Sequence, residues 1–402
     1  MDGRYRYVII GGGLAGASAI KGIRERDMDG RVMLLGAEAD RPYDRPPLSK
    51  KLWFGQKKLE DIFLEPTDYY EKNGVDLRLG TRAVKLDANE KTVIDDTGGV
   101  YGYEKLLIAT GGSPRALQIP GGDLEEIFYY RYIDDYRRLR QKAAAGASAL
   151  VIGGGFIGSE IAAALSFNGV EVTMIFPSSY ICDRVFPEPL GRAVEASFIK
   201  KGIRLFPDAR PASVAKKGDR FILKTVDGRS FESDMVIAGI GITPAVELAR
   251  SAGIKTEDGI TVDEFLRTSE QDVFAAGDCA FFPYKALDRM TRVEHWDNAL
   301  TQGRRAGLNM AGAKEPYDHM PYFFSDLFDF GYEAVGEVSS NLDTFADWQE
   351  ENMKGVVYYL KERRVRGVML CNVWEKVDEA RSLIRKGGEL TPEDLLGAIS
   401  LS

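Results

Sequence analysis

The stretch YRYVIIGGGLAG, residues 5–16, predicts a buried strand, a glycine loop and the start of a helix. Residues 5–10 form the strand, and Gly11, Gly13 and Gly16 follow at G-x-G-x-x-G spacing. This spacing allows a tight turn, a close approach of backbone N–H groups to a pyrophosphate, and close packing of the helix on the sheet. The helix predicted over residues 15–26 points the positive end of its dipole at those phosphates. The stretch therefore predicts a dinucleotide site.

A second copy of this motif, ALVIGGGFIGSEIAAAL, lies at residues 149–165. Its glycines, Gly153, Gly155 and Gly158, again stand between an apolar strand and a helix. One such match is weak evidence, whereas two in the same structural context argue against coincidence. Each motif is followed by a small meander of short alternating segments and a strand that ends in glycine, KLLIATG at 105–111 and DMVIAGIG at 234–241. Residues 57–70 predict an irregular helix, residues 100–103 predict the last strand of the first meander, and the second meander is predicted from four segments over residues 203–232. The chain thus predicts a duplicated α/β plan with two dinucleotide sites.

Length and composition narrow the class of protein. At 402 residues the chain is long enough for two or three domains. A formal net charge of -8 argues against nucleic-acid binding, which depends on Lys and Arg. No apolar run reaches the roughly 18 residues that a membrane span needs, and the first apolar stretch belongs to the glycine motif rather than to a signal peptide. A cytoplasmic location without a membrane span is the expectation.

The cysteines and histidines exclude several chemistries. Cys182, Cys279 and Cys371 show neither C-x-x-C nor C-x-x-x-x-C spacing, so a zinc site, a disulfide framework and a redox-active dithiol all lack their ligands. His295 and His319 are the only histidines, which excludes a His-rich metal site. No metal is expected.

Acids that follow buried strands are expected to bind hydroxyl groups. Glu38 comes after the second strand, residues 31–35, where a dinucleotide site places an acid on the adenosine ribose. Asp278, in VFAAGDCA at residues 273–280, is an acceptor for a polyol chain. At the second site the strand over residues 170–176 leads to Ser178 and Arg184 rather than to an acid. The choice between NADH and NADPH therefore stays open.

Three further segments complete the pattern. RPYDRPPLSK, residues 41–50, is a proline-stiffened loop that holds Arg45, Ser49 and Lys50 in place. RVEHWDNALTQGRRAGLNMAG, residues 292–312, predicts a loop that feeds a helix with Asp297 or Asn298 in its first turn. From about residue 322, short strands and two helices predict a third domain. Its basic residues at 361–366 are interpreted as a solvated strand edge, with docking of an acidic redox protein as the weaker alternative.

Two dinucleotide sites in one chain imply electron transfer between two nucleotide cofactors, and FAD with NAD(P)H is the economical pair. Four motifs, the PY-x-RPPLSK loop, the GFIGSE glycine loop, the AGD segment and the EHW-x-NA helix start, resemble those of the two-dinucleotide flavoprotein reductases. The narrower resemblance is to the group of apoptosis-inducing factor and oxygenase-coupled ferredoxin reductases. It implies a glutathione-reductase-like plan of an FAD-binding domain (1–112 and 245–321), an NAD(P)H-binding domain (113–244), both Rossmann-like, and a small α+β C-terminal domain (322–402).

The resemblance also implies the site residues. Lys50 and Glu160 would pair beside the flavin N5, where the cation stabilises the reduced flavin anion and the carboxylate accepts a hydrogen bond from the nicotinamide carboxamide. The FAD contacts would be Gly11, Gly13, Leu14, Ala15, Gly16, Glu38, Arg45, Lys50, Ala83, Val84, Thr110, Gly111, Arg131, Asp278, Glu294, His295 and Trp296. The NAD(P)H contacts would be Gly153, Gly155, Phe156, Ile157, Glu160, Ser178, Arg184 and Gly241, with Phe324 a candidate for ring stacking.

The assignment of Glu160 has an alternative, and the sequence departs from the family pattern at three positions. The local sequence also allows Glu160 to be an ordinary surface acid in the first turn of its helix. The family commonly has acids where Ala37 and Ser178 stand and a tryptophan where Phe324 stands. Ribose binding, the choice of pyridine nucleotide and aromatic stacking are therefore the properties in which this chain is expected to differ.

The expected function is an NAD(P)H-dependent FAD reductase that passes single electrons to a ferredoxin or rubredoxin, with a homodimer left open. A disulfide reductase of the same plan needs cysteine after the first helix, where PYDRPPLSK stands instead. The alternative is a redox-sensing protein in which NADH forms a long-lived charge-transfer complex. SDLFDFGYEAVGEV, residues 325–338, favours that alternative because it resembles the C-terminal sequence of apoptosis-inducing factor. An NADH oxidase or quinone reductase is the third reading.

Overall fold

The computed structural model describes residues 3–401. Its strands are β1 (Gly3–Ile10), β2 (Val32–Leu35), β3 (Val75–Arg78), β4 (Ala83–Asp87), β5 (Thr92–Asp95), β6 (Val100–Ile108), β7 (Gly112–Pro114), β8 (Ser148–Ile152), β9 (Glu171–Ile175), β10 (Arg204–Phe206), β11 (Pro211–Lys217), β12 (Arg220–Thr225), β13 (Ser230–Ser233), β14 (Met235–Ala238), β15 (Ile242–Pro244), β16 (Ile260–Thr261), β17 (Val273–Ala275), β18 (Ala280–Tyr284), β19 (Arg289–Thr291), β20 (Tyr322–Leu327), β21 (Phe330–Gly336), β22 (Asp343–Glu350), β23 (Lys354–Lys361) and β24 (Arg364–Cys371).

The α-helices are α1 (Leu14–Arg24), α2 (Tyr69–Lys72), α3 (Ile133–Lys142), α4 (Phe156–Phe167), α5 (Glu188–Lys200), α6 (Glu247–Ser251), α7 (Trp296–Met310), α8 (Val377–Lys386) and α9 (Pro392–Leu395). Short 3₁₀ turns occupy Pro46–Ser49, Leu59–Ile62 and Lys285–Leu287. None of the helices within residues 3–401 is long and apolar enough to span a membrane.

The chain forms two compact units. The first contains Met1–Asp44, Glu60–Ser113 and Thr243–Tyr322, and the second contains Arg45–Leu59, Pro114–Ile242 and Phe323–Ser402. The proline-stiffened loop thus belongs, from Arg45 onward, with the second unit. The boundaries of the three domains stay a prediction.

The first unit is built on a sheet in the order β3-β2-β1-β6-β5-β4. β17 also pairs with β6, on the side away from β1 and beyond the part of β6 that pairs with β5. β1 runs parallel to β2 and β6, and β6 runs parallel to β17. In the register of these pairs the ends of the strands, Ile10, Leu35, Ile108 and Ala275, lie side by side. Whatever follows these strands therefore meets at one edge of the sheet, where α/β proteins bind their ligands.

Two local predictions for this unit are wrong. Residues 100–103 and 105–109 are predicted as separate strands, whereas β6 is continuous. Its first part pairs antiparallel with β5, its last part pairs parallel with β17, and pairing with β1 runs along nearly its whole length. Residues 57–70 are predicted as an irregular helix and instead contain a single 3₁₀ turn and the start of α2.

The second unit repeats the plan with a parallel sheet in the order β10-β9-β8-β14. Ile152 lies between Ile175 and Ala238 at the carboxyl edge. A separate antiparallel sheet, β11-β12-β13, follows β10, as the second meander predicts, but the first predicted segment of that meander, residues 203–206, instead pairs parallel with β9 as β10. The C-terminal part is an antiparallel sheet in the order β20-β21-β24-β23-β22 with α8 packed on β21 and β24. The predicted fold class is confirmed.

Candidate active site

The three glycines of the first loop serve different structural purposes. Gly11 has φ +124°, and a Cβ there would lie 2.1 Å from the carbonyl oxygen of Ala109. A Cβ on Gly16 would lie 2.1 Å from the carbonyl oxygen of Gly11, so this glycine lets α1 pack against the loop. A Cβ on Gly13 would meet nothing within 4 Å among the described residues. The loop is therefore tightly packed behind and open at Gly13, as a cradle for a pyrophosphate requires.

The second glycine loop has the same geometry. Gly153 has φ +112° and a Cβ there would lie 2.3 Å from the carbonyl oxygen of Gly239, while one on Gly158 would lie 2.1 Å from that of Gly153. A Cβ on Gly155 would meet nothing within 4 Å in residues 3–401. The same division between packed and open positions in two loops is what two dinucleotide sites need.

Helices α1 and α4 present their N-termini at these open positions. Their N-cap residues are Gly13 and Gly155, which carry no side chain to accept from the first N–H groups of the helix. Neither first turn contains an acid. By contrast, the side chain of Thr391 caps α9. The free N–H groups and the positive dipole ends of α1 and α4 fit an anionic ligand, so the residues present fit FAD at one loop and a pyridine nucleotide at the other.

In the first unit several of the predicted FAD contacts lie beside the first glycine loop. Leu14 begins α1, and a Cβ on Gly277 would lie 3.0 Å from the Cβ of Ala15, which places the segment before Asp278 against the loop. The hydroxyl of Thr110 donates to the carbonyl of Ala245 at 2.7 Å, and Gly111 accepts from the N–H of Ala245.

Glu38 lies in a network that fixes its orientation. The hydroxyl of Tyr43 donates to Oε2 of Glu38 at 2.5 Å, and the N–H of Gly80 donates to the Glu38 carbonyl at 2.8 Å. The N–H of Thr81 donates to the carbonyl of Gly36, which anchors the chain just before Ala83 and the exposed Val84. Ribose binding by Glu38 stays a prediction.

The EHW segment forms the start of α7, as predicted. His295 is the N-cap residue, and the indole N–H of Trp296 donates to Oδ1 of Asp44 at 2.8 Å. Asp297 stands in the first turn and lies 2.6 Å from Nε2 of His319. Glu294 forms an ion pair with Arg292, which also donates to the carbonyl of Asp278 at 3.3 Å.

His295 is expected to make the stability of the protein depend on pH. Its Nδ1 is shielded from solvent, and desolvation lowers the pKa of His295 from 6.5 to about 4, while Asp278 and Asp297 oppose the shift only in part. Below pH 6.5 the unfolded chain takes up a proton that the folded protein refuses, so stability falls as the pH falls toward 4. Between pH 7 and 5 this loss should be roughly 1–2 kcal/mol.

The measurement is the free energy of unfolding of the parent and of His295→Gln, at pH 7 and pH 5 with the same concentration of FAD. We expect the fall between the two pH values to be smaller in the variant by that amount. An equal fall in both proteins would remove His295 as its cause.

The second unit contains a buried ion pair between Lys50 and Glu160. Nζ of Lys50 lies 2.7 Å from Oε1 of Glu160, and the two side chains are 8% and 5% exposed. The hydroxyl of Ser325 donates to the same oxygen at 2.5 Å, and that of Ser49 donates to Oε2 at 2.5 Å. The pairing that the resemblance implies is therefore present, and Glu160 is not a surface acid.

The position of Glu160 on its helix differs from the prediction. α4 begins at Phe156, so Glu160 lies beyond the first turn. It faces the proline-stiffened loop, and the C-terminal end of α4 contacts the segment just after that loop at two points. The amide of Asn168 donates to the carbonyl of Trp53 at 3.1 Å, and the rings of Phe54 and Phe167 pack edge to face at 4.8 Å.

Of the other predicted residues, Phe324 contacts this pair, while Arg45 and Arg131 contact each other. The ring of Phe324 lies 5.1 Å from Nζ of Lys50, a cation–π contact. Arg45 donates to the carbonyl of Arg131 at 3.0 Å. Stacking of Phe324 on a cofactor ring stays a prediction, because the structure places this ring against the ammonium group.

Aromatic rings support the start of α4. The rings of Phe156 and Phe323 lie 5.3 Å apart, and those of Phe323 and Tyr332 lie 6.0 Å apart. Ile157, the next residue of the helix, is 41% exposed. Phe156 is thus fixed by packing while its neighbour remains accessible.

The end of β9 carries small polar groups, as predicted. The hydroxyl of Ser178 donates to the carbonyl of Tyr180 at 3.1 Å, and that of Ser179 donates to Oδ1 of Asp208 at 3.3 Å. The backbone carbonyl of Arg184 accepts from the N–H of Ser340, and the backbone carbonyl of Gly241 accepts from the N–H of Arg115. Asp208, which follows β10, was not foreseen, because sheet pairing rather than sequence proximity brings it to Ser179.

The described cysteines are unsuited to dithiol chemistry. Cys182, Cys279 and Cys371 are free and buried. Burial raises the pKa of the Cys182 thiol to about 12 and also raises that of Cys279. No group of three or more potential metal ligands occurs among residues 3–401.

Comparison with known proteins supports these features. Residues 5–303 match the pyridine nucleotide-disulphide oxidoreductases, and residues 306–352 and 346–386 match the C-terminal domain of mitochondrion-associated apoptosis-inducing factor. The chain is 34% identical over 395 residues to monodehydroascorbate reductase 2 of Arabidopsis thaliana, covering 91% of this chain and 90% of the relative.

Two further similarities concern ferredoxin reductases. The ferredoxin--NAD(+) reductase component of the anthranilate 1,2-dioxygenase system of Burkholderia cepacia is 32% identical over 394 residues, covering 97% of this chain and 96% of the relative. Among solved structures, the covalent putidaredoxin reductase-putidaredoxin complex matches with a TM-score of 0.91 and 30% identity, over 97% of this chain and 95% of the matched chain.

Proposed function

Because the chain belongs to the pyridine nucleotide-disulphide oxidoreductase family and is an FAD-dependent NAD(P)H oxidoreductase, we propose that it delivers electrons singly to a ferredoxin-type protein. The overall reaction converts NAD(P)H and two oxidised ferredoxins into NAD(P)⁺, H⁺ and two reduced ferredoxins. FAD, when bound, supplies the step from two-electron to one-electron chemistry. The buried pair of Lys50 and Glu160 is the observation that carries the proposal, since it supplies oriented charges without any thiol.

Gly13 and Gly155 have the first task in this proposal, which is binding. Each lies at the open point of its loop, where the N–H groups of α1 and α4 can donate to a pyrophosphate. Gly13 would serve FAD and Gly155 the pyridine nucleotide. Asp278 and Glu38 would accept hydrogen bonds from FAD hydroxyl groups.

Lys50 and Glu160 have the second task, which is electrostatic. The ammonium group of Lys50 offers positive charge to an electron-rich ring, and the Glu160 carboxylate accepts from a carboxamide. The low exposure of both side chains strengthens these interactions relative to water. The matching pair of charges also keeps the site from holding an uncompensated buried ion.

Similarity to ferredoxin reductases and the burial of the described cysteines both favour a ferredoxin-type acceptor. Relatives of this chain include a ferredoxin reductase component and a reductase solved with its ferredoxin-type partner. The cysteines described between residues 3 and 401 are buried, so a disulfide substrate would find no thiolate partner. A small iron–sulfur protein needs only surface docking and a route for single electrons.

The test uses the purified holoprotein. NADH or NADPH should bleach the visible absorbance of the flavin within a stopped-flow measurement, and an added ferredoxin or rubredoxin should restore it over many turnovers. Protein that stays colourless after incubation with FAD would contradict the cofactor assignment. Rapid bleaching without reoxidation by either acceptor would contradict the acceptor.

A redox-sensing function is the second candidate. The match of residues 306–352 and 346–386 to the C-terminal domain of apoptosis-inducing factor favours it. In that case NADH would produce a persistent long-wavelength absorbance band, and reoxidation by a ferredoxin would be slow. We include a cytoplasmic location and a homodimer in the proposal, and size-exclusion chromatography before and after NADH addition tests the assembly.

A further inference from the structure

The Glu160 carboxylate is held by more groups than an ion pair requires. Oε1 accepts from Nζ of Lys50 at 2.7 Å and from the hydroxyl of Ser325 at 2.5 Å, while Oε2 accepts from the hydroxyl of Ser49 at 2.5 Å. Ser49 and Ser325 are 4% and 2% exposed, so water does not compete for these bonds. The two serine hydroxyl groups therefore help to fix the orientation of the carboxylate.

The arrangement leaves one oxygen able to accept a further hydrogen bond. A carboxylate oxygen has two lone-pair directions. The partners of Oε1 occupy both of its directions, whereas Ser49 occupies one of those on Oε2. An incoming amide N–H can thus be accepted at Oε2 without displacing a partner. By fixing the orientation of the carboxylate, the two serines determine the direction of this remaining lone pair.

We propose that Ser49 and Ser325 are positioning residues that orient Glu160 so that Oε2 accepts the carboxamide N–H of the nicotinamide. This inference rests on the proposed function, since it concerns the same nucleotide. Both serines act through Glu160 and neither touches the nucleotide in this account. Their contribution therefore depends on the presence of the carboxylate.

The origin of the two serines supports a positioning role. Ser49 belongs to the 3₁₀ turn Pro46–Ser49, which the prolines pre-form, and Ser325 belongs to β20, which pairs with β21 at the edge of the C-terminal sheet. Each hydroxyl is thus presented by rigid backbone. Groups held in this way fix the geometry of a binding residue better than a mobile loop does.

The test measures binding of NAD⁺ and NADH to the FAD holoprotein of Ser49→Ala and Ser325→Ala. Each variant loses one hydrogen bond to the Glu160 carboxylate and should therefore bind NADH roughly tenfold more weakly. The limiting rate of flavin reduction at saturating NADH should stay within about twofold of the parent, because the Lys50 ammonium remains. Ser325→Thr, which keeps the hydroxyl, should bind NADH like the parent.

A matched control is Ser166→Ala. Ser166 lies on the same helix, and its hydroxyl donates to the carbonyl of Lys201 at 3.3 Å, away from Glu160. This variant should bind NADH as the parent does. FAD content and unfolding temperature are measured for each variant, so that a loss of folding is separated from a loss of binding.

A double-mutant cycle decides between positioning and general structural support. In a Glu160→Ala background, Ser325→Ala should cause no further loss of NADH affinity, because its target is gone. Additive losses, or equal weakening by Ser325→Ala and Ser325→Thr, would overturn the proposal. Parent protein that NADH and NADPH both fail to reduce would instead overturn the proposed function.

Discussion

Lys50→Met is expected to bind FAD like the parent protein and to be reduced by NADH about 100-fold more slowly at saturation, the size of effect seen when one preorganised electrostatic group is removed. Nζ of Lys50 is the cation of a pair whose side chains are 8% and 5% exposed. Because the site is shielded from water, solvent cannot substitute for the positive charge of Lys50 once that charge is removed. Met keeps the length and apolar character of the side chain while removing the charge.

The variant also leaves Glu160 without its cation, so folding must be checked. Ser49 and Ser325 still donate to the carboxylate, which limits the cost of an unpaired buried charge. The double variant Lys50→Met, Glu160→Gln removes both charges and should restore any lost unfolding temperature without restoring the rate. Recovery of the rate in the double variant would show that Lys50 acts on stability alone.

A matched control for this prediction is Lys51→Met. Lys51 is the next residue and its side chain is exposed. It should be reduced at the rate of the parent. If Lys50→Met were reduced as fast as Lys51→Met, Lys50 would have no part in the reduction.

Local sequence predicted the two glycine loops because the spacing of their glycines reflects a contact within each motif. Gly16 packs on Gly11 and Gly158 packs on Gly153, contacts made within five residues. The last four residues of each strand before the loops, YVII in β1 and ALVI in β8, are buried and largely apolar, as parallel strands covered on both faces are. The family resemblance, which depends on these loops, is confirmed by the match over residues 5–303.

The surroundings of Glu160 could not be found in the same way. Its partners Ser49 and Ser325 are 111 and 165 residues away in the chain, and serine alone carries no signal of such a contact. The two serines lie in separate motifs, RPYDRPPLSK and SDLFDFGYEAVGEV, and no feature of either motif indicates a contact with Glu160. Only the fold, which brings Pro46–Ser49 and β20 to the same face of α4, shows the connection.

Helix α5 was missed for a related reason. It begins after Pro187 and contains Gly191, residues that usually mark the interruption of a helix. A Cβ on Gly191 would lie 2.3 Å from the ring of Tyr180, so the glycine provides room for that ring. A tertiary contact therefore explains why α5 contains a glycine, a residue that local propensity alone would take as the end of a helix.

The final prediction separates the two nucleotide sites. Gly155→Val is expected to retain FAD and to bind NADH on the order of 100-fold more weakly, while Gly13→Val is expected to lose FAD and to keep its affinity for NAD⁺. Each valine enters space with nothing within 4 Å in the described chain, where a pyrophosphate would approach the backbone. Blocking one charge-assisted hydrogen bond of about 1.5–3 kcal/mol accounts for the size of the loss.

Backbone strain does not complicate this comparison. Gly13 has φ −86° and ψ −174°, and Gly155 has φ −82° and ψ −171°, values that valine adopts freely. Each variant is the control for the other, because the substitution and the local geometry are the same. Calorimetric titration with NAD⁺ and the flavin content of purified protein read out the two sites. Loss of FAD from Gly155→Val, or unchanged NADH affinity in it, would mean that the second loop does not bind the pyridine nucleotide.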